Sequence, residues 1–186
     1  GEAADELKFN AYLVGGCVRD LLRGEENLDI DIVTEGDGIA FAKKLAETVK
    51  AKVKLHQRFG TAHLILPTDS SLLTPHSLLK IDIATARTEY YEFPAALPKV
   101  EMSSIKKDLY RRDFTINTLA VKLNKKDFGL LIDFFGGQRD LKDRAIRVLH
   151  NLSFIEDPTR AFRAVRFSER FGFKLTKHTE NLIKSA

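Results

Sequence analysis

The chain has 186 residues, 44% of them hydrophobic and 30% charged, enough to bury one substantial core and the start of a second unit. No apolar run approaches the roughly 20 residues that span a bilayer, and no signal-peptide h-region is read in the first residues. The single cysteine, Cys17, allows no internal disulfide and fits a reducing cytosol, while a net charge of +4 permits a polyanionic partner without requiring one.

The only methionine is Met102, so Gly1 is not a translation start. Glu180 to Ala186 stops inside a helix-like pattern, and both ends are expected to be cut from something longer. Glu2 to Lys8 reads as the end of a helix leading into an apolar strand, Ala11 to Val14. Gly15-Gly16 then opens a short helix, Val18 to Arg23, closed by Gly24. Strand, glycine pair and helix start expose backbone N–H groups to an anion, with Arg19 one turn in. Tight turns also need glycine, so the pair alone decides nothing.

Leu28 to Val33 alternates polar and apolar and predicts a strand with Asp29 and Asp31 on one face. Two neighbouring carboxylates repel unless a cation lies between them, and hard oxygen ligands suit Mg²⁺. A solvated strand face explains the pair equally well. Gly36-Asp37-Gly38 opens a helix ending near Lys50, with Ile39, Phe41, Ala42, Leu45, Ala46 and Val49 at helical spacing. Lys52 to His56 and Thr61 to Leu66 form a strand pair around Arg58-Phe59-Gly60, and Pro67 to Ser77 an exposed connection. His56, His63 and His76 lack metal-ligand spacing and read as ordinary histidines. Leu79 to Ala84 is a further strand. If it neighbours the first acidic strand, Asp82 brings a third carboxylate to the same sheet face.

From Thr85 to Met102 the pattern dissolves into a long loop. Ser103-Ser104 caps a helix through Leu109, and Arg111-Arg112 fits a solvated corner. Thr118 to Leu123 is a strand, Asn124 to Asp127 a turn, and Leu130 to Phe135 a buried strand broken by Gly136-Gly137. Gln138 to Asp143 is a short helix, and Ile146 to Leu149 a last extended piece. A helix then starts at Asp157, the N-cap, with Pro158 in its first position. Along it Arg160, Arg163, Arg166 and Arg170 span an arc of about 120° on an ideal helix, with Ala161, Phe162, Ala164 and Val165 on other sides. Arginine without lysine favours planar, bidentate contacts.

Five motifs occur in order: Gly15-Gly16-Cys17-Val18-Arg19-Asp20, Leu28-Asp29-Ile30-Asp31, Arg111-Arg112-Asp113-Phe114-Thr115-Ile116-Asn117, Asp133-Phe134-Phe135-Gly136-Gly137 and Glu156-Asp157-Pro158-Thr159-Arg160. Together they resemble the head and neck of the class II tRNA nucleotidyltransferase and poly(A) polymerase family. The resemblance implies an α/β (α+β) fold: a nucleotidyltransferase palm over residues 1–145, a small mixed sheet flanked by helices, then the start of an all-α neck over 146–186. The family's body and tail domains are absent from this chain.

It further implies that an RNA 3′-hydroxyl attacks the α-phosphorus of CTP or ATP at a cytoplasmic tRNA 3′ end and releases pyrophosphate. Two Mg²⁺ ions about 3.5–4 Å apart serve such chemistry. By resemblance Asp29 and Asp31 bind them, and Asp82 is the third catalytic acid. Gly15, Gly16, Arg19 and Arg112 would hold the triphosphate, Asp113 would lie near the sugar, and Asn117, Arg163 and Arg166 would complete the nucleotide site.

Base choice has an independent argument. Cytosine and adenine present an amino donor beside a ring-nitrogen acceptor, whereas uracil and guanine present a carbonyl beside an N–H. Ionised aspartate only accepts and arginine only donates, so Asp157 with Arg160 matches C or A. The same site leaves a poly(A) polymerase as the alternative. A non-catalytic RNA-binding module is disfavoured, because all three acids and the Asp157–Arg160 pair are present.

Overall fold

A computed structural model describes residues 1–66, 79–90 and 99–185. The chain runs α1 (Glu2–Glu6), β1 (Asn10–Val14), α2 (Gly16–Leu22), β2 (Ile30–Glu35), α3 (Gly38–Val49), β3 (Lys52–His56), β4 (Thr61–Leu66) and β5 (Leu79–Thr85). It continues through β6 (Arg87–Tyr90), β7 (Lys99–Met102), α4 (Ile105–Tyr110), β8 (Ala120–Lys122), β9 (Leu131–Ile132), α5 (Gly137–Lys142) and β10 (Ala145–Ile146). The last elements are α6 (Ser153–Glu156), α7 (Thr159–Phe171), β11 (Lys174–Leu175) and α8 (Lys177–Ser185).

Among the described residues the main sheet has the order β3-β4-β5-β2-β1-β8-β9. Only β2 and β5 pair in parallel; the other pairings are antiparallel. The fold is therefore a mixed sheet flanked by helices, as expected. The parallel pair is the one that matters for the site, because its register sets Asp31 opposite Asp82. Helix α3 covers one face: Asp37 accepts the N–H groups of Ile39 and Ala40, and Phe41, Ala42 and Ala46 enter a core with Leu64 and Ile83. A separate cluster joins Phe114 and Ile116 to Ile146, Val148, Phe154, Ala164 and Phe173, so the segment before β8 and the C-terminal helices share one apolar interior.

Several expectations change. The strand starts at Ile30, so Asp29 precedes it, and its exposed backbone N–H is taken by the Asn27 side chain at 2.8 Å. Alternation therefore says nothing about where Asp29 points. Thr85 to Met102 is not all loop: β6 and β7 pair as a two-stranded hairpin with Arg87 opposite Met102. The connection over 67–77, His76 and the middle of that hairpin lie outside the described residues.

The expected buried strand at 130–135 shrinks to the two residues of the edge strand β9, with Leu130 and Phe134 exposed. Among the described residues no further strand pairs beyond β9, so its apolar run meets solvent. On α7, Phe162 is 80% exposed and Val165 52%; the packed face is Ala161, Ala164, Phe167 and Phe171. Ser104 occupies the α4 N-cap without a side-chain bond; Glu35 takes the Ile105 N–H instead, at 2.7 Å.

Gly137, the first residue of α5, is required for close approach. A Cβ there would lie 2.5 Å from the Thr115 carbonyl oxygen and 3.0 Å from the Leu119 side chain. Gly137→Ala is expected to lower stability by about 2 kcal/mol, as overpacking against rigid backbone does, read as a lower denaturation midpoint.

Candidate active site

A cavity of about 470 Å³ opens between the β1–α2 turn, the segment after α4, and α7. Its walls include Gly15, Gly16, Arg19, Asp29, Asp31, Arg112, Asp113, Asn117, Asp157, Arg160, Arg163 and Arg166. Twelve of the thirteen expected site residues thus meet at one cavity, from segments far apart in sequence. Asp82 is not in its wall. It stands beside Asp31 on β5, with its carboxylate hydrogen-bonded to Nδ1 of His63 on β4.

Gly15 makes the floor possible. Its φ of 74° is a conformation that favours glycine, and a Cβ there would lie 2.9 Å from Nη1 of Arg112 and 3.5 Å from Oδ2 of Asp31. Burial pushes the Asp31 carboxyl up, Arg112 partly offsets this, and the charges of Asp29 and Asp82 push it further, to about 6. A carboxylate destabilised by burial and by two like charges gains from a cation beside it.

The arginines are organised by buried acids. Arg19 gives Nε and Nη2 to the two oxygens of Asp20, both at 2.8 Å, and Nη1 to Asn117 at 2.6 Å. These bonds use three of its five N–H groups. Asn117 in turn donates to Oδ1 of Asp113 at 2.9 Å. Oδ2 of Asp113 accepts from Nε of Arg163 at 2.8 Å and is ion-paired to its Nη2 at 2.6 Å. A continuous polar chain, Asp20–Arg19–Asn117–Asp113–Arg163, thus runs from α2 to α7. The carboxylate of Asp113 is fully engaged by protein donors.

Arg111-Arg112 is not a solvated corner. Both pair with Asp108, at 2.8 and 3.2 Å, and Asp108 is fully buried. Burial alone would raise that carboxyl, but Arg112 and Arg111 outweigh it and hold it below the usual carboxylate range. Asp108→Ala removes the buried carboxylate from beneath Arg112 and one of the two that hold Arg111, the other being Glu89 at 2.9 Å. It is expected to cost about 3–5 kcal/mol, measured by denaturant unfolding.

On α7, Asp157 Oδ1 accepts the Thr159 N–H at 3.0 Å and the Thr159 hydroxyl at 2.6 Å. Pro158 is the residue at the helix boundary, and Asp157 sits one place ahead of it. Arg160 does not lie on the exposed stripe. It is 5% exposed, with Nη1 bonded to the Ser153 hydroxyl at 3.0 Å and Nη2 to the Arg111 carbonyl at 2.8 Å. Its Nε is 3.7 Å from Oδ2 of Asp157, so the two side chains are adjacent. Arg163, Arg166 and Arg170 carry the exposed part of the stripe along the cavity.

Sequence reasoning missed Asn27, Asp20, Asp108 and Phe167. Asn27 lines the cavity, donates to Asp20 at 2.7 Å and accepts the Asp29 N–H. An asparagine two residues ahead of an aspartate is a turn signal that could have found it. Asp20 and Asp108 are the partners of named arginines, a relation only the fold reveals.

The description "Poly A polymerase head domain" belongs to a family whose pattern matches residues 11–147. The chain belongs to that family. It is 60% identical over 186 residues to an A-adding tRNA nucleotidyltransferase of Geobacter sulfurreducens, covering 100% of this chain and 20% of that protein. Among solved structures it is similar to the apo form II of a CCA-adding enzyme, with TM-score 0.90 and 58% identity, over 100% of this chain and 42% of that one. It is also similar to a tRNA nucleotidyltransferase complexed with a primer tRNA and an incoming ATP analog, with TM-score 0.83 and 47% identity, over 99% and 48%. The chain therefore spans less than half the length of these relatives.

Nucleotidyltransferases of this kind generally use divalent metal ions. Among the described residues no group of three or more His, Cys, Asp or Glu side chains is arranged to hold a metal ion; the three acids do not converge as a closed ligand set, since Asp82 bonds to His63. The raised Asp31 carboxyl beside Asp29 is nonetheless a donor set that fits a divalent cation. No helix among the described residues is long and apolar enough to cross a membrane.

Proposed function

We propose that this chain is the catalytic part of an enzyme that adds C or A, from CTP or ATP, to the 3′ end of tRNA with release of pyrophosphate. The reading rests on one observation: a carboxylate pair and a set of arginines line the same cavity. The relatives that act on tRNA supply the substrate class.

In this reading Asp29 and Asp31 hold Mg²⁺, which when bound favours ionisation of the attacking hydroxyl and stabilises the leaving oxygen. Asp82 acts as the third acid. The bare backbone at Gly15 and Gly16 admits the triphosphate, and the unspent N–H groups of Arg19 and Arg112 donate to its oxygens. Asp113 and Asn117, locked between Arg19 and Arg163, fix the wall beside the sugar. Asp157 accepts from the amino group of C or A, and Arg160 donates to the neighbouring ring nitrogen; Arg163 and Arg166 extend the cationic wall toward nucleotide or RNA. Residues 1–145 act as the palm and 146–186 as the beginning of a neck, in the cytoplasm, where the lone Cys17 stays reduced.

A poly(A) polymerase would use the same groups, and the family description favours keeping it as the second reading. Calorimetric titration with each nucleoside triphosphate tests the base pair directly. CTP or ATP is expected to bind at least about tenfold more tightly than UTP and GTP, from roughly 1–3 kcal/mol per unpaired buried group. Equal affinities contradict the assignment.

A further inference from the structure

A second cavity of about 590 Å³ lies beside the first, walled by the end of α2, by α5 and by the end of α7. Three of its residues are cations, Arg23, Lys142 and Arg144, against one carboxylate, Glu25. Glu25 is taken by Nη2 of Arg23 at 2.8 Å. Lys142 and Arg144 are exposed and make no ion pair among the described residues. Nη1 of Arg23 is buried, 3.8 Å from Asp20, and makes no hydrogen bond among the described residues.

Two aromatic rings complete the walls. The guanidinium carbon of Arg23 lies 4.3 Å from the centroid of Phe171 and 5.5 Å from that of Phe173. Arg19, a wall residue of the first cavity, stands 4.6 Å from the same Phe171 centroid. One ring thus packs against an arginine of each cavity.

Arg144 has φ 52°, a conformation that costs an L side chain strain and that glycine adopts freely. Its backbone closes α5, with its N–H bonded to Leu141 at 3.2 Å and its carbonyl accepting from Lys174 at 2.9 Å. Glycine would close that turn equally well. The arginine side chain is not needed for the turn, and it lies in the wall of a cavity whose charge is unbalanced.

We propose that this second cavity is a phosphate-binding subsite, taking the phosphate of an RNA strand or of a free polyphosphate. Arg23, Lys142 and Arg144 supply the donors, Gln138 a neutral one, and Phe173 an apolar edge. Lys142 and Arg144, which make no ion pair among the described residues, and the unbonded Nη1 of Arg23 match an anion rather than a cation or an apolar ligand.

The test uses a double variant, Lys142→Ala with Arg144→Gly, and two probes: a fluorescein-labelled single-stranded RNA followed by anisotropy, and inorganic tripolyphosphate followed by calorimetry. ATP affinity, which reports the first cavity, is measured on the same samples so that failure of that reading shows separately. For an RNA phosphate, the variant is expected to bind the oligonucleotide about tenfold more weakly. Its slope of log affinity against log salt is then shallower by about 1.4, the loss of two contacts to a single strand. For a free polyphosphate, RNA binding is unchanged and tripolyphosphate stoichiometry falls from two to one. Unchanged RNA affinity, salt slope and stoichiometry overturn the proposal, as does wild-type protein that binds neither probe outside the ATP site. Should the double variant unfold, Arg144→Gly alone carries the same reading, because glycine suits that φ.

Discussion

Replacing Asp31 by alanine is expected to lower nucleotide transfer on the order of 10³-fold or more, the scale seen when charge stabilisation at a reacting centre is removed. Asp29→Ala should do the same, and transfer retained by either variant refutes their assignment as cation ligands. Folding gives an independent check. The Asp31 carboxyl is pushed to about 6 from the ordinary 3.8 by burial first, with Arg112 opposing and Asp29 and Asp82 adding to it. The folded protein therefore holds this proton more tightly than the unfolded chain. Its contribution to stability is complete below the unfolded value, fades as pH rises through the folded one, and is gone above it.

Asp31→Asn removes that charge. In cation-free buffer the variant should be more stable than wild type at pH 8, by on the order of 1 kcal/mol after allowance for solvent screening, with the difference shrinking as pH falls and nearly gone at about pH 3, below the unfolded value. Thermal denaturation with a chelator at the two pH values measures this. An inactive variant that is more stable than its parent separates a chemical role from a structural one.

Arg160→Ala is expected to reduce discrimination of CTP and ATP against UTP and GTP by about 10- to 100-fold, the equivalent of roughly 1–3 kcal/mol. Triphosphate affinity should change less, because Arg19, Arg112 and Arg163 remain. The variant should also be less stable, since Arg160 is buried and bonds both Ser153 and the Arg111 carbonyl. Arg160→Lys keeps the charge without the planar fork, so it should recover triphosphate affinity but not base choice. Competition titrations among the four nucleotides measure both effects. Full discrimination in Arg160→Ala contradicts the base-reading role.

The helices and strands around the site were legible because their signals are local. Asp37 bonds the N–H groups at the start of α3, Gly15 sits at positive φ where the β1–α2 turn needs it, and Ile30 and Ile32 flank Asp31 in β2. What stayed hidden depends on neighbours distant in sequence. Nothing in Arg111-Arg112 tells that Asp108 is fully buried beneath both, nor that Arg160 turns inward to Ser153. Apolar runs also misled at the periphery: Leu130 to Phe135 reads as core, yet it forms an edge where much of that surface meets solvent. Asp82 falls between these cases, since parallel pairing puts it in register with Asp31 while its carboxylate turns to His63.

The central claim is best tested with tRNA ending at the discriminator base, one C beyond it, or two, incubated separately with each labelled nucleoside triphosphate, Mg²⁺ and the protein. Label should enter tRNA from CTP or ATP alone, on a primer of matching end, and should vanish in Asp31→Ala. Incorporation from all four nucleotides alike, or transfer that survives loss of Asp31, would contradict it.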